Sequence, residues 1–139
     1  MAAELDDLKG MWLDLKARVD QLAEERRHYL EFFEQSAEAY VVTDAQGTIV
    51  DANGAAVDVL QRRRRLLVGT PIAALVALER RTEFRSRLQR LVAREPGAPR
   101  RFSTVFEAPE LRTEVGVSLR LIDREGVVGG VCWLLQPVQ

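Results

Sequence analysis

The stretch "TDAQGTIVDANGAAVDVL", residues 43–60, constrains the fold more than any other part of the chain. Asp44 and Gly47 occupy the first and fourth positions of "DAQG", which suits a type I turn. Runs rich in strand-forming residues lie on both sides of this turn. The pattern therefore predicts a β-hairpin over residues 38–52.

Asn53 follows the hairpin directly and precedes "GAAVDVL", residues 54–60. An Asn side chain in this place can accept hydrogen bonds from the free backbone N–H groups of a first helical turn. The small residues Ala55 and Ala56 would let such a helix pack closely against the hairpin. The chain is therefore expected to pass from the hairpin straight into a short capped helix.

The rest of the chain continues with helix patterns and then strand patterns. Residues 61–76 predict a short helix closed by Gly69, with Pro71 limiting its extension. Residues 77–95 predict a longer amphipathic helix. Three strands are expected at 100–108, 113–123 and 126–138. The last strand is apolar on both faces, so we expect it inside a five-stranded antiparallel sheet, where it pairs with the first hairpin. The helices are expected on one face of this sheet. This is an α+β fold.

Residues 3–35 show a heptad repeat of the kind found in coiled-coil helices, with Arg26 as the one charged seam position. The candidate dimer-interface residues are Leu5, Leu8, Trp12, Leu15, Val19, Leu22, Tyr29 and Phe33. A helix of this size is about 45 Å long, whereas a domain of about 100 residues has a radius of gyration of about 13 Å. We therefore predict that part of the helix protrudes and forms a homodimer, while the rest covers the outer side of the last strand. The flanking charges leave parallel and antiparallel pairing open.

The composition is that of a globular protein, with 47% apolar and 29% charged residues. No apolar run is long enough to span a bilayer, and the first residues lack the pattern of a secretory signal. The single cysteine, Cys132, excludes an intramolecular disulfide and a multi-cysteine zinc site. We expect a cytoplasmic protein that does not associate with membranes. It is expected to consist of an N-terminal helix over residues 1–35 and a domain over residues 36–139.

The charges are unevenly distributed along the chain. Residues 1–35 carry 5 basic and 9 acidic side chains, whereas residues 61–101 carry 12 Arg and 3 Glu. The run Arg62 to Arg65 raises the hypothesis of nucleic-acid binding, because clustered Arg can contact phosphates. No aromatic residue that could stack on a base interleaves with this run. We therefore interpret it as a solvated helix face or a docking surface for an acidic partner, and expect no nucleic acid.

Three segments together resemble a PAS domain, the sensory fold of many bacterial signalling proteins. They are "AYVVTDAQGTIVDANGAAVDVL", then "LLVGTPIAALV", then "VVGGVCWLL" in the last strand. The resemblance covers about residues 33–136, and it implies architectural roles for its motif residues, Asp44, Gly47, Asn53, Gly69 and Pro71. It also implies that the N-terminal helix mediates dimers. The last strand runs into "QPVQ" without an output domain, so we expect action on a partner in trans or a place in a longer signalling protein.

The cofactors of the PAS family can be compared with the residues present. Haem would need an axial histidine in the helical connector, but the only histidine is His28 on the N-terminal helix. Covalent flavin chemistry would need an Asn-Cys pair, where this chain has Asn53-Gly54. Cys132 in the last strand is interpreted as a small packed hydrophobe. No metal site is expected, and the residues argue against both haem and a covalent flavin.

A non-covalent apolar ligand between sheet and connector is a further hypothesis, since ligand pockets are mostly apolar with few polar groups. The candidate pocket-lining residues are Val42, Leu75, Phe84, Leu88, Phe102, Thr104, Val117, Leu119 and Trp133. Nearly all are apolar, so the alternative that they only fill the core is favoured, and no cofactor is predicted.

The chain offers no nucleophile and base that could act together, because its single histidine lies outside the domain. No catalytic residue is assigned, and we expect no enzyme. The hypothesis that fits best is a PAS sensory module that dimerises through its N-terminal helix and relays a signal from its core or a partner. The alternative is a ligand-free interaction scaffold, and a basic nucleic-acid-binding module comes third.

Overall fold

The structure, a computed structural model, describes residues 2–138 and divides after Phe33 into two compact units. The boundary predicted from the sequence lies two residues later, at position 35. Met1 and Gln139, the outermost residues of the two predicted segments, lie outside the described residues.

The first helix, α1, spans Ala2–Gln35 without a break, as the heptad pattern predicts. None of its described residues is buried, and the first seven candidate seam residues, Leu5 to Tyr29, are between 55% and 67% exposed. Phe33 is half-buried. The predicted dimer and the predicted covering of the sheet by this helix both stay predictions. Within residues 2–138, no helix combines the length and apolar character that crossing a membrane requires.

The second unit contains a five-stranded antiparallel sheet in the order β2-β1-β5-β4-β3. Its strands are β1 (Ala39–Thr43), β2 (Ile49–Ala52), β3 (Arg101–Ala108), β4 (Leu111–Arg124) and β5 (Val127–Pro137). The last strand lies between β1 and β4, because its apolar residues on both faces suit an interior position. The predicted α+β fold, with its five-stranded antiparallel sheet, helical connector and long N-terminal helix, is confirmed.

The connector between β2 and β3 holds short helical elements. They are α2 (Gly54–Leu60), α3 (Arg64–Leu67), two 3-10 turns (Ile72–Leu75 and Leu78–Arg80) and α4 (Arg81–Val92). Two expectations need correction. Pro71 does not end a helix but precedes the first 3-10 turn. The helix expected over 77–95 is α-helical only in α4.

Helix α3 ends where Val68 adopts an extended conformation, and Gly69 follows it. The φ of +88° at Gly69 is the left-handed conformation that glycine adopts without strain. Its N–H donates to the carbonyl of Ile49, and Thr70 accepts a bond from the N–H of that same residue. These two bonds tie the chain to β2 immediately after α3 ends.

Candidate functional site

The turn between β1 and β2 is held by the carboxylate of Asp44. Its Oδ1 accepts from the N–H groups of Gln46 and Thr48 at 3.0 and 2.9 Å. Gly47 closes the turn with φ of +90°, and a Cβ there would lie 2.9 Å from Leu88 of α4. The turn therefore packs against α4 through a glycine that no larger residue could replace without strain.

Asn53 lies at the junction of β2 and α2, with its side chain fully buried. Its Oδ1 accepts from the N–H of Ala56, which makes it the N-cap of α2, and also from the N–H of Tyr40. Its Nδ2 donates to the carbonyl of Glu38 at 2.8 Å. One amide thus joins the first turn of α2 to the start of β1, beside the end of α1.

Arg64 makes a second link at this junction. Its Nε donates to the carbonyl of Ala52 at 2.9 Å, and its guanidinium forms an ion pair with both carboxylate oxygens of Glu34. The hydrogen bond with Glu34 raises the pKa of Arg64 above its ordinary value. Glu34 is a residue of the last turn of α1, and it belongs to the second compact unit. We call the group formed by Glu34, Asn53 and Arg64 the junction.

The arginine run is therefore not one solvated helix face, as the sequence suggested. Arg62 donates to the carbonyl of Glu107 at 3.3 Å, and its Nε is buried without a partner. Arg64 serves the junction, whereas Arg63 and Arg65 are exposed. Alternate members of the run thus have structural and solvent-facing roles. The sequence could not separate them, because which arginine faces inward depends on where α3 begins.

The interior between α4 and the sheet is filled by aromatic rings. Phe84 stacks on Trp133 with ring centroids 5.2 Å apart, and Phe102 and Phe106 meet Phe84 edge-on. The Nε1 of Trp133 donates to Oγ1 of Thr43 at 3.0 Å, so this buried indole has its hydrogen-bond partner. The rings occupy the region of the candidate pocket residues, for which core filling was the favoured alternative.

A small cavity of about 10 Å³ borders these rings, lined in part by Phe84, Phe102 and Thr104. It has room for about one water molecule. A larger ligand in this place would require Phe84 or Trp133 to move.

The structure places most of the candidate pocket residues together in the core. Seven of them are buried: Leu75, Phe84, Leu88, Thr104, Val117, Leu119 and Trp133. Phe102 is half-buried and packs against them. Val42 is wrongly assigned, because Val41 and Thr43 on either side point into the core and Val42 lies on the opposite face. Ligand binding by the other residues stays a prediction.

Other chemically distinctive residues lie away from this interior. His28 lies on α1, where its Nε2 is 3.1 Å from Glu24. Cys132 is half-buried on the outer face of the sheet, and its interpretation as a small packed hydrophobe stays a prediction. Burial raises the pKa of its thiol, and the nearby Arg120 partly opposes this. Within residues 2–138, no group of three or more His, Cys, Asp or Glu side chains could hold a metal ion.

The family model described as "PAS fold" matches residues 33–139. The chain belongs to the PAS family. The match covers the whole sheet and connector, and it begins at the end of α1, where the junction lies. The resemblance seen in the sequence motifs is thereby confirmed, and with it the membership of a family of sensory and signalling modules.

Solved PAS domains share this fold. That of an HTR-like protein from Haloarcula marismortui has a TM-score of 0.71 at 21% identity, covering 88% of this chain and 99% of that chain. A domain of the sensory box sensor histidine kinase/response regulator from Geobacter sulfurreducens has a TM-score of 0.66 at 18% identity, with coverages of 83% and 96%. The PAS domain of a LuxR-family transcriptional regulator from Burkholderia thailandensis, solved with ethanol, has a TM-score of 0.61 at 18% identity, with coverages of 79% and 96%. No protein of curated function matches the chain significantly.

Proposed function

We propose that the chain is a non-enzymatic PAS signalling module that dimerises through α1 and relays a change in its domain to that helix. The observation that carries the proposal is the exposed apolar seam of α1. A single helix that exposes so many large apolar side chains on one stripe gains stability by pairing with another such helix. We expect the partner to be a second copy of the chain.

The junction supports the relay. Arg64 lies at the start of α3 in the connector and holds both the end of β2 and the last turn of α1. Asn53 fixes the first residues of β1 to α2. A displacement of the connector would therefore move groups that are bonded to the end of α1. Such a link allows two arrangements of the helix to be biased by a signal in the domain.

The nature of the signal distinguishes two forms of this function. Phe84 stacked on Trp133 fills the core, and this supports a signal from a protein partner over one from a resident ligand. A ligand-free interaction scaffold is therefore the second candidate. The partner in either case is a signalling protein acting in trans or a further domain. Relatives of this fold include a domain of a sensor histidine kinase/response regulator.

Sedimentation of the full chain tests the dimer. The double variant Leu15→Asp/Leu22→Asp places charges in the seam, and we expect it to be mainly monomeric at concentrations where the wild type is dimeric. Ala17→Asp/Gln21→Asp adds the same charges to α1 outside the seam and should leave the dimer intact. A Leu15→Asp/Leu22→Asp variant that sediments as the wild type does would contradict the role of α1.

Native mass spectrometry distinguishes the two forms of the function. The chain has a mass of 15.7 kDa, so a dimer with an unexplained excess mass would identify a bound small molecule and support a ligand sensor. A dimer without excess mass supports the scaffold or a partner-driven relay. The third hypothesis, nucleic-acid binding, predicts salt-sensitive binding that falls when Arg62 to Arg65 are neutralised.

A further inference from the structure

The two edge strands of the sheet differ in how far the connector covers their backbone. On β2, Ile49 both donates to the connector and accepts from it. On β3, the connector reaches only the second half, where the carbonyl of Val105 accepts from the N–H of Ala77 at 2.8 Å. Within residues 2–138, no backbone hydrogen bond from outside the sheet reaches residues 101–104. We call this first half of β3 the open edge.

The backbone of the open edge points away from the sheet at alternate residues. The carbonyl of Arg100 accepts from the N–H of Leu119 on β4 at 2.8 Å. Because hydrogen-bonding directions alternate along an antiparallel strand, Arg101 and Ser103 direct their N–H and C=O groups away from β4. The outward carbonyl of Val105, two residues further on, has the same phase. The open edge therefore presents backbone groups with the spacing that another strand requires.

Side chains flank the open edge on both sides of the sheet. Arg101 and Ser103 are exposed on the outer side. On the inner side, α4 borders the edge, and Arg87 shares the small cavity beside the aromatic rings with Phe102 and Ser103. The guanidinium of Arg87 lies 5.0 Å from the centre of the Phe102 ring. Since side chains alternate along a strand, an added strand would place them in turn beside Arg101 and beside Arg87.

The charges around the open edge are mainly basic. Three exposed arginines that line the edge or its cavity form no ion pair within residues 2–138: Arg80, Arg100 and Arg101. Glu83, which lines the same cavity, is already paired with Arg87 at 2.7 Å. The exposed Glu114 lies opposite Val105, where the connector closes the edge. The open edge therefore keeps positive charge available for a partner.

This charge distinguishes between the strands that could occupy the edge. Edge strands pair readily with copies of themselves, and charged residues on an edge oppose this. Two copies of β3 joined at their open edges would bring the arginines of one copy beside those of the other, and like charges across a strand pair are destabilising. An acidic strand would instead be attracted by the same arginines. The occupant that fits the open edge is therefore an acidic segment of a different protein.

We propose that the open edge binds an extended acidic segment of a partner protein, which adds to the sheet beside β3. The outward N–H and C=O groups of Arg101 and Ser103 hold the backbone of this segment, and the surrounding arginines bind its Asp or Glu side chains. In strand addition, main-chain bonds supply affinity and alternate side chains supply specificity. The site goes beyond the proposed pairing of α1 and does not depend on it.

Binding of a synthetic peptide to the full chain tests the proposal. The probe is a fluorescent octapeptide of alternating Glu and Thr, and an octapeptide of alternating Lys and Thr is its control. We expect only the Glu peptide to bind, and Arg101→Glu to weaken its binding at least about tenfold, because an attraction becomes a repulsion. Arg85→Glu makes the same change of charge on the side of α4 that faces the β1–β2 turn, and should change the Kd less than about twofold. Leu15→Asp/Leu22→Asp should bind as the wild type does.

Ser103→Pro separates strand addition from charge attraction alone. Proline removes the outward N–H of this position and keeps every charge, and edge strands tolerate it where the N–H faces outward. We expect Ser103→Pro to weaken binding about tenfold and Ser103→Ala, which keeps the N–H, to bind as the wild type does. Amide hydrogen exchange gives a readout without any substitution. In the wild type, saturating Glu peptide should slow exchange at Arg101 and Ser103, while Phe102, bonded to β4, is protected with and without peptide.

The proposal fails in any of three cases. If the wild type does not bind the Glu peptide at up to about 1 mM, the arginines only keep other strands away from the edge. If Arg101→Glu and Arg85→Glu bind equally well, or if bound peptide leaves exchange at Arg101 and Ser103 unchanged, the peptide binds elsewhere. If a thymidine octanucleotide binds more tightly than the Glu peptide and this binding is lost in Arg101→Glu, the edge recognises nucleic acid instead. Failure of the coiled coil would appear in the sedimentation of the seam variants and leave all of these measurements unchanged.

Discussion

At the scale of single residues, the side chain of Asn53 makes more hydrogen bonds to the backbone than capping a helix requires. Its buried amide accepts from Tyr40 and Ala56 and donates to Glu38. Each of these backbone groups would lose its partner if the amide were removed. Because buried polar groups without partners are costly, the side chain matters for the folding of the whole β1–α2 corner.

We expect Asn53→Ala to lower the free energy of unfolding by about 3 kcal/mol, since it removes three hydrogen bonds from a buried site. Urea denaturation followed by circular dichroism measures this. Asp58→Ala truncates an exposed residue of α2 and should change the free energy by less than about 0.5 kcal/mol. Equal losses in the two variants would show that the amide has no special role.

A second residue-scale prediction concerns the pH dependence of Cys132. Burial raises the pKa of the thiol, so the folded chain holds the proton to higher pH than an ordinary cysteine does. We expect the rate of alkylation by iodoacetamide to reach its midpoint at higher pH in the folded chain than in the chain unfolded in urea. A folded-state midpoint at or below that of the unfolded chain would contradict this.

The residues that the sequence revealed are those with a local signal. Asp44, Gly47 and Asn53 were predictable because turns and caps depend on neighbours a few positions away. Val42 was misplaced because "AYVVT" has apolar residues at adjacent positions. The sequence therefore does not show which of these residues face the core and which face outward. The role of Arg64 depends on Glu34, which lies thirty positions earlier in the chain. A local sequence pattern does not relate residues that far apart.

At the scale of elements, α4 is joined to the sheet by stacked rings. Phe84→Ala should lower the free energy of unfolding by about 3–5 kcal/mol, because it leaves a cavity beside Trp133. In a Trp12→Phe background, the fluorescence of Trp133 should also shift to longer wavelength as water approaches the indole. Arg85→Ala, at the next and exposed position, should change neither quantity. An unshifted spectrum in Phe84→Ala would show that the core closes over the missing ring.

The junction between α1 and the connector gives a second prediction at this scale. Arg64→Ala should cost about 1–2 kcal/mol of stability, since it leaves the carbonyl of Ala52 without its partner. Glu34→Ala should cost less than about 0.5 kcal/mol, because the paired side chains are 43% and 44% exposed and water screens them. Thermal unfolding at low and high salt measures both, and only the smaller effect should depend on salt. A larger loss for Glu34→Ala would place the main role of the junction in the ion pair.

The elements themselves were largely predictable, because helix and strand periods persist over many residues. The order of strands followed from one strand, β5, whose apolar residues on both faces required neighbours on both sides. The connector was less predictable. Its short helix and 3-10 turns are set by contacts with β2 and β3, such as the bond from the N–H of Ala77 to the carbonyl of Val105.

At the scale of the whole molecule, α1 and the domain differ in what stabilises them. A helix without buried residues depends on association for most of its stability. We therefore expect helicity measured by circular dichroism at 222 nm to fall on dilution of the wild type. In Leu15→Asp/Leu22→Asp it should already be low and independent of concentration. Helicity that stays constant on dilution of a dissociating wild type would contradict this.

The central position of β5 also determines when the molecule can fold. The ribosome makes β1 and β2 early, yet β1 joins β4 only through β5, the last strand to be made. The sheet consequently waits for nearly all of the domain to be translated, because the β1–β5 pairing joins its first and last strands, and pairing over such a separation slows folding. The helix α1 precedes the domain in the chain, so it leaves the ribosome before the strands of the sheet do. If α1 pairs as we propose, two chains translated on one messenger RNA would meet through their helices before either domain is complete.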